Sequence, residues 1–260
     1  MSNVRFASAA LLAFALCGCG VGEDRTLEEV SEQTYPLDRD ATLSIQNRDG
    51  LIRIYGSNKP ELMVQTIKKA YSADRLKQIA AKVSVQRGSA TIETIYPPTP
   101  KGWSFSDRSG TVEYNIVLPQ TCRIASLELA NGEVLVEGMR GPDVNAKLTT
   151  GRIVAHNCFG DLHLAVATGN VDLFFEWWEA TNSSVVVEVT NGNVFAALPD
   201  DSAFALVAET SNGKIANVFG ETSVQEIGTG SRVQTTLGTD SLSQIKIHTT
   251  NGNIRIEEPY

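Results

Sequence analysis

SLELANGEVLVEG (residues 126–138) reads as strand, corner, strand. Leu127 and Leu129 alternate with polar or small neighbours before Asn131-Gly132, and Val134 and Val136 alternate after it. Alternation at period two marks a strand with one buried face. Asn-Gly tolerates the positive φ that a sharp corner requires. The pattern returns in VNAKLTTGRIVAH (144–156), DLHLAVATGNVDLFF (161–175), VVVEVTNGNVFAAL (185–198), ALVAETSNGKIANV (205–218) and QIKIHTTNGNIRI (244–256). The corner glycines are Gly132, Gly151, Gly169, Gly192, Gly213 and Gly252, at steps of 19, 18, 23, 21 and 39, the last close to twice the period. A fixed period of about twenty residues is the mark of stacked repeats. The hairpins of a sandwich would share the local pattern, but the regular spacing favours like stacked on like. The expected fold is therefore all-β, an elongated β-solenoid (β-helix) of eight to ten stacked coils, each of about twenty residues. The Asn-Gly pairs then form one column, with asparagine side chains hydrogen-bonding from coil to coil.

Upstream, residues 41–118 read as a strand and helix cap for the regular repeat of 119–260. ATLSIQ (41–46), a turn at Asp49-Gly50, LIRIYG (51–56) and LMVQTIKKAY (62–71) give strands. In SADRLKQIAAKV (72–83) the period changes: Leu76, Ile79, Ala80 and Val83 fall on one helical face, with Ser72 or Asp74 as N-cap. This helix is expected to cover an open end of the stack, since an uncovered edge pairs with other chains. KVSVQ (82–86) and ATIETIY (90–96) are further strands, and PPTPKGWSFSDRSG (97–110) is a loop by composition.

Residues 1–18 have the form of an export signal: Arg5, then an apolar run from Phe6 to Leu16 that is too short to span a bilayer as a helix. Leu16-Cys17-Gly18-Cys19 resembles the lipobox of bacterial lipoproteins. That resemblance implies that Cys19 is acylated and becomes the first mature residue. Gly20, rather than Asp, follows it, so in a Gram-negative cell the resemblance implies an outer-membrane lipoprotein facing the periplasm. Residues 19–40 are polar and acidic, as in a lipidated tether. The whole chain carries a net charge of −8, and losing residues 1–18 removes only Arg5 among charged residues, leaving −9. That balance argues against nucleic-acid binding.

From IVLPQTCRIASLELANGEVLVEG onward the chain resembles the bacterial DUF4097-type "putative adhesin" beta-strand-repeat family. Pro119, Asn131-Gly132, Gly138, Gly141, Thr150-Gly151, Ser211-Asn212-Gly213 and Thr250-Asn251-Gly252 carry the likeness, which extends over residues 41–260. The resemblance implies a β-solenoid anchored at the cell envelope, and it implies no catalytic residues.

Candidate sites divide into faces and breaks. The acidic residues of the coils, such as Glu128, Asp143, Asp161 and Glu188, are scattered rather than clustered, unlike the carboxylate sets of carbohydrate-active β-helices. Glu133, Arg152, Asn170, Asn193, Lys214 and Asn253 follow the corner glycines and read as a solvated column with cross-strand pairing. His156, His163 and His248 lie at different phases and have no fourth partner for a structural zinc, so neither metal nor cofactor is expected. Cys122 and Cys158 fall near one column two coils apart, where a disulfide is geometrically disfavoured but left open.

The breaks are richer in chemistry. Phe174-Phe175-Glu176-Trp177-Trp178 sits in the longest coil, and Trp103 lies in the Pro-rich loop. Trp177, Trp178 and Trp103 are the candidate contacts for a partner, with packing against the wall as the competing reading for the pair at 177–178. The function expected is non-catalytic: a membrane-anchored scaffold or adhesin-like module that meets an envelope protein or polysaccharide. An envelope-stress sensor and a carbohydrate-active enzyme are the alternatives.

Overall fold

The computed structural model describes residues 26–98, 109–219, 224–239 and 243–259. The expected lipidation site Cys19 and the candidate contact Trp103 lie outside the described residues. The chain begins with β1 (Leu27–Pro36), β2 (Thr42–Ser57), β3 (Glu61–Ala70) and one helix, α1 (Ala73–Gln78). Strands β4 (Ala80–Gln86), β5 (Ser89–Ile95) and β6 (Thr111–Pro119) follow. Three long strands come next: β7 (Arg123–Glu137), β8 (Asp143–His156) and β9 (Asp161–Phe174). Later coils split at the corner, giving β10 (Ser184–Asn191) with β11 (Val194–Ala197), and β12 (Phe204–Asn212) with β13 (Ile215–Asn217). The hairpin β14 (Gln225–Ile227) and β15 (Gly230–Leu237) precedes the last coil, β16 (Ser243–Asn251) with β17 (Ile254–Glu257).

Each coil is a first arm, a corner and a second arm, and coils stack in parallel register. Gly50 pairs with Gly132, Gly132 with Gly151, and Gly151 with Gly169. Inward residues alternate on both arms: Leu127, Leu129, Val134 and Val136 on β7 stack beside Ala146, Leu148, Ile153 and Ala155 on β8, all buried in one continuous core. Each fully buried aliphatic side chain contributes about 1.5–3 kcal/mol, so the repeating core stabilises every coil chiefly through its neighbours. The β-solenoid inferred from the corner spacing is the fold observed.

The corner explains its own residues. Gly132 has φ +137°, and a Cβ on it would overlap the carbonyl oxygen of Gly50 in the adjacent coil. Gly192 repeats the arrangement, with φ +147° and the carbonyl of Gly169 in the way. Positive φ and backbone against backbone leave no room for a side chain.

The coils do not stack in chain order. β10 pairs with β9 on one side and β16 on the other, while β12 pairs with β16 and β15. On the second arms β11 lies between β9 and β17, and β17 lies between β11 and β13. The final coil thus slots between the coils of 184–197 and 204–217. The 39-residue step is not two further coils: it holds the β14–β15 hairpin, which turns back antiparallel along β12. Corner glycines 50, 132, 151, 169, 192, 252 and 213 mark seven coils among the described residues, fewer than the eight to ten expected.

Three further expectations are corrected. Residues 27–36, read as part of the tether, form the edge strand β1, antiparallel to β3 and held by Lys68–Glu29 (2.6 Å). The helix stops at Gln78; Ser72 does cap it, but Ala80 and Val83 belong to β4, whose inward side packs on the core. The tight pairing of β4 with β5 prevails over the helical spacing of those residues. Finally, the turn at Asp49-Gly50, expected within the cap, is the first corner of the stack, so β2 belongs to the same column as the repeat that follows.

Candidate functional site

Where a second arm ends, a short return carries the chain to the next first arm. These returns also bond along the stack: Gln120 N–H donates to Ser57 O (2.7 Å), Arg140 N–H to Gln120 O (2.7 Å) and Phe159 N–H to Met139 O (2.8 Å). Side chains on the returns therefore fall in fixed lines. The longest return, 175–183, is the break singled out by its aromatic residues.

A polar line runs over this side. Asn58 Oδ1 accepts from Gln120 Nε2 (2.7 Å), and Gln120 Oε1 accepts from Arg140 Nη1 (3.1 Å). Arg140 forks onto Glu179 through Nε (3.2 Å) and Nη2 (2.5 Å), the geometry in which a guanidinium holds a carboxylate best. Trp177 Nε1 donates to the same carboxylate (3.1 Å). The Arg140 guanidinium holds the Glu179 carboxyl below its ordinary range, partial burial opposing it and the Trp177 bond assisting. Glu179 is thus an ionised, oriented acceptor at neutral pH.

An aromatic seam runs beneath. Ring centroids lie 5.7 Å apart for Trp177 and Phe159, 5.6 Å for Phe159 and Phe175, and 5.6 Å for Phe175 and Trp178. Trp178 continues to Phe204 (5.8 Å), and Phe204 to Phe219 (5.7 Å). Arg140 sits 5.4 Å over Phe159, within cation–π range. Packing claims Trp178, which lies against the core with its Nε1 buried and without a hydrogen-bond partner. Its ring is partly buried there, so packing accounts for much of its surface. Trp177, 45% exposed, is the ring of the pair left facing solvent.

The other expectations resolve more simply. Cys122 and Cys158 are free and buried. Gly141 stacks on the Cys122 backbone and Gly160 on that of Gly141, which puts Cys158 two residues out of that column. His156 lies between Glu137 (3.6 Å) and Glu176 (3.3 Å), while His163 and His248 are exposed on the outer first-arm face, His163 in register with Asn145 and Val186 and His248 with Glu188 and Glu209. The described residues hold no group of three His, Cys, Asp or Glu placed for a metal ion. Behind the corner, Asn170 Oδ1 accepts from Asn193 N–H (3.0 Å), Asn193 Oδ1 from Asn253 N–H (2.9 Å), and Asn253 Oδ1 from Lys214 N–H (2.9 Å). What looked like a mixed solvated column is, in part, a second asparagine ladder.

Of these residues Trp177 stands out in the sequence, whereas Asn58, Gln120, Arg140, Phe159 and Glu179 do not. Gln120, Arg140 and Phe159 are 20 and 19 residues apart, the repeat period itself. Applying that period to the returns as well as the corners would have aligned them.

The chain was compared with known proteins. The Toastrack DUF4097 family matches over residues 29–257. Among solved structures, a putative cell adhesion protein from Clostridium sporogenes ATCC 15579 is similar, with TM-score 0.53 and 18% identity, covering 90% of this chain and all of that one. A putative adhesin from Bacteroides fragilis NCTC 9343 follows at TM-score 0.30 and 10% identity, covering 88% and 97%. The likeness to the Clostridium sporogenes protein speaks to the fold alone. Among curated proteins, none matches.

Proposed function

Because the chain belongs to the Toastrack DUF4097 family, and because its stack leaves one indole exposed beside an ordered polar line, we propose that it is a non-catalytic binding module. In this reading a lipid on Cys19 holds it to the cell envelope, and the return side takes an envelope polysaccharide. The observation that carries the proposal is Trp177: one face is supported by Phe159, its N–H is committed to Glu179, and it stays exposed. A free aromatic face stacks on the apolar face of a sugar ring. Glu179, Arg140, Gln120 and Asn58 supply the carboxylate, guanidinium and amide groups that bond hydroxyls, already fixed by one another. Such pre-ordering lowers the entropy lost on binding.

Two measurements test this reading. The soluble chain from residue 20, with and without Trp177→Ala, is run through gels containing cell-wall polysaccharide. Retardation lost in the variant, with an unchanged melting temperature, supports the site; equal retardation of both proteins, or of neither, removes it. Membrane partitioning of Cys19→Ala addresses the anchor: the variant is expected in the soluble fraction, and continued partitioning with membranes would rule the anchor out.

A further inference from the structure

Six large apolar side chains are strongly exposed among the described residues, and five sit at the ends of the stack. Val218 (60%) and Ile227 (56%) lie at the end formed by β13 and β14. Leu27 (41%), Val30 (45%) and Tyr71 (64%) lie at the end formed by β1, the turn after β3, and α1. Leu27 pairs with Ala70, the neighbour of Tyr71, so Leu27 and Tyr71 share one rim. Tyr71 is held there by its backbone N–H, which donates to Ser109 Oγ (2.9 Å).

The two ends differ in what they are attached to. From Cys19 to Leu27 is eight residue steps, a reach of at most roughly 28 Å even when fully extended. A lipid on Cys19 therefore keeps the β1 end within about one hydrocarbon thickness of the bilayer. The far end is separated from it by all seven coils, stacked at about 4.8 Å each.

Charge points the same way. Strands β1, β3 and β4 and helix α1 carry five acidic residues (Glu28, Glu29, Glu32, Glu61, Asp74) and five basic ones (Lys68, Lys69, Arg75, Lys77, Lys82). Glu29 is paired with Lys68 (2.6 Å) and Glu28 with Lys69 (3.6 Å). These four elements therefore sum to zero, whereas the chain from Cys19 onward carries −9, so they meet anionic headgroups with less repulsion than the rest would suffer.

We propose that the β1 end rests on the lipid surface, with Leu27, Val30 and Tyr71 in the headgroup interface and the coils rising away from it. An exposed tyrosine beside aliphatic side chains suits that boundary, where one end of the ring is apolar and the other wet. The proposal rests on the reading of Cys19 as lipidated.

The test uses the lipidated protein in phosphatidylethanolamine–phosphatidylglycerol vesicles. Tyr71→Cys, Val30→Cys and Ile227→Cys are each labelled with an environment-sensitive fluorophore; native Cys122 and Cys158 are buried and stay unlabelled. Brominated lipid is expected to quench the label at positions 71 and 30 and to leave it unchanged at 227. Equal quenching at both ends, or none at 71 and 30, overturns the proposal. Mass spectrometry of the N-terminal peptide separates the two readings. An acylated Cys19 with an unquenched label at 71 sinks the orientation alone, whereas an unmodified Cys19 sinks both.

Discussion

Asn251 Nδ2 donates to Asn191 Oδ1 at 2.9 Å, although sixty residues separate them, and Asn251 Oδ1 accepts in turn from Asn212 Nδ2 at 2.9 Å. The last corner of the chain therefore lies between two earlier ones, and it joins them. With β16 and β17 in place, both arms of the 184–197 coil are paired on each side; without them, the coil of 204–217 has no neighbour toward the rest of the stack.

Deleting residues 243–260 should accordingly be far more damaging than an ordinary C-terminal trim. It removes four buried isoleucines, Ile245, Ile247, Ile254 and Ile256. Each contributes about 1.5–3 kcal/mol, against a total stability of about 5–15 kcal/mol for a domain. It also bares strand edges on β10 and β12, which then pair with other chains. Thermal melting and light scattering check this: loss of the cooperative transition with association is expected, and a monomer melting at the wild-type temperature would refute it.

The reason this order was not legible in the sequence is the same repetition that revealed the fold. Every coil offers Asp-Gly, Asn-Gly or Thr-Gly at its corner and apolar residues at matched positions, so Asn251 is as good a neighbour for Asn191 as Asn212 would be. Period identifies coils; it does not rank them. Strand β1 escaped for another reason. As an edge strand it buries little, so LEEVSEQTYP shows acidic composition rather than clear alternation. The return-side line was hidden because its residues are of five unlike types, and only their phase connects them.

Glycine at the corner admits a paired test. Gly192→Ala forces a Cβ toward the Gly169 carbonyl at φ +147°, whereas a Cβ on Gly88, at the β4–β5 turn, would meet nothing within 4 Å. The first substitution should cost at least about 2 kcal/mol, combining disallowed backbone with overlap. Gly88→Ala should be close to neutral. Denaturant midpoints of the two variants decide the matter, and equal midpoints would show that the corner is not tight.

Trp178 is predicted to separate size from polarity. Truncation to Ala removes a ring packed between Phe175 and Phe204 and should cost about 2–4 kcal/mol. Trp178→Phe keeps most of that contact and removes an Nε1–H that is buried without a partner. Relief of an unsatisfied donor, worth about 1–3 kcal/mol, should offset most of the lost volume. Near-wild-type melting of the Phe variant beside a large loss in the Ala variant is the expected result; similar losses in both would mean that the indole N–H is satisfied after all.

The two thiols give the fold a dependence on alkaline pH. Burial pushes both Cys122 and Cys158 up to about 11, with backbone hydrogen bonds opposing the shift in part. In the unfolded chain a thiol ionises near 8.5, so below that pH both states hold the proton and the thiols favour neither. As pH rises from there toward about 11, the unfolded state releases protons that the folded state keeps, and stability falls. Denaturant midpoints measured between those limits should drop more steeply in the wild type than in the Cys122→Ala, Cys158→Ala double variant, whatever its lower starting stability. Parallel slopes would show that the thiols titrate normally in the folded protein. Thiol reagents offer the matching kinetic check: neither cysteine should react at pH 8 until denaturant opens the stack.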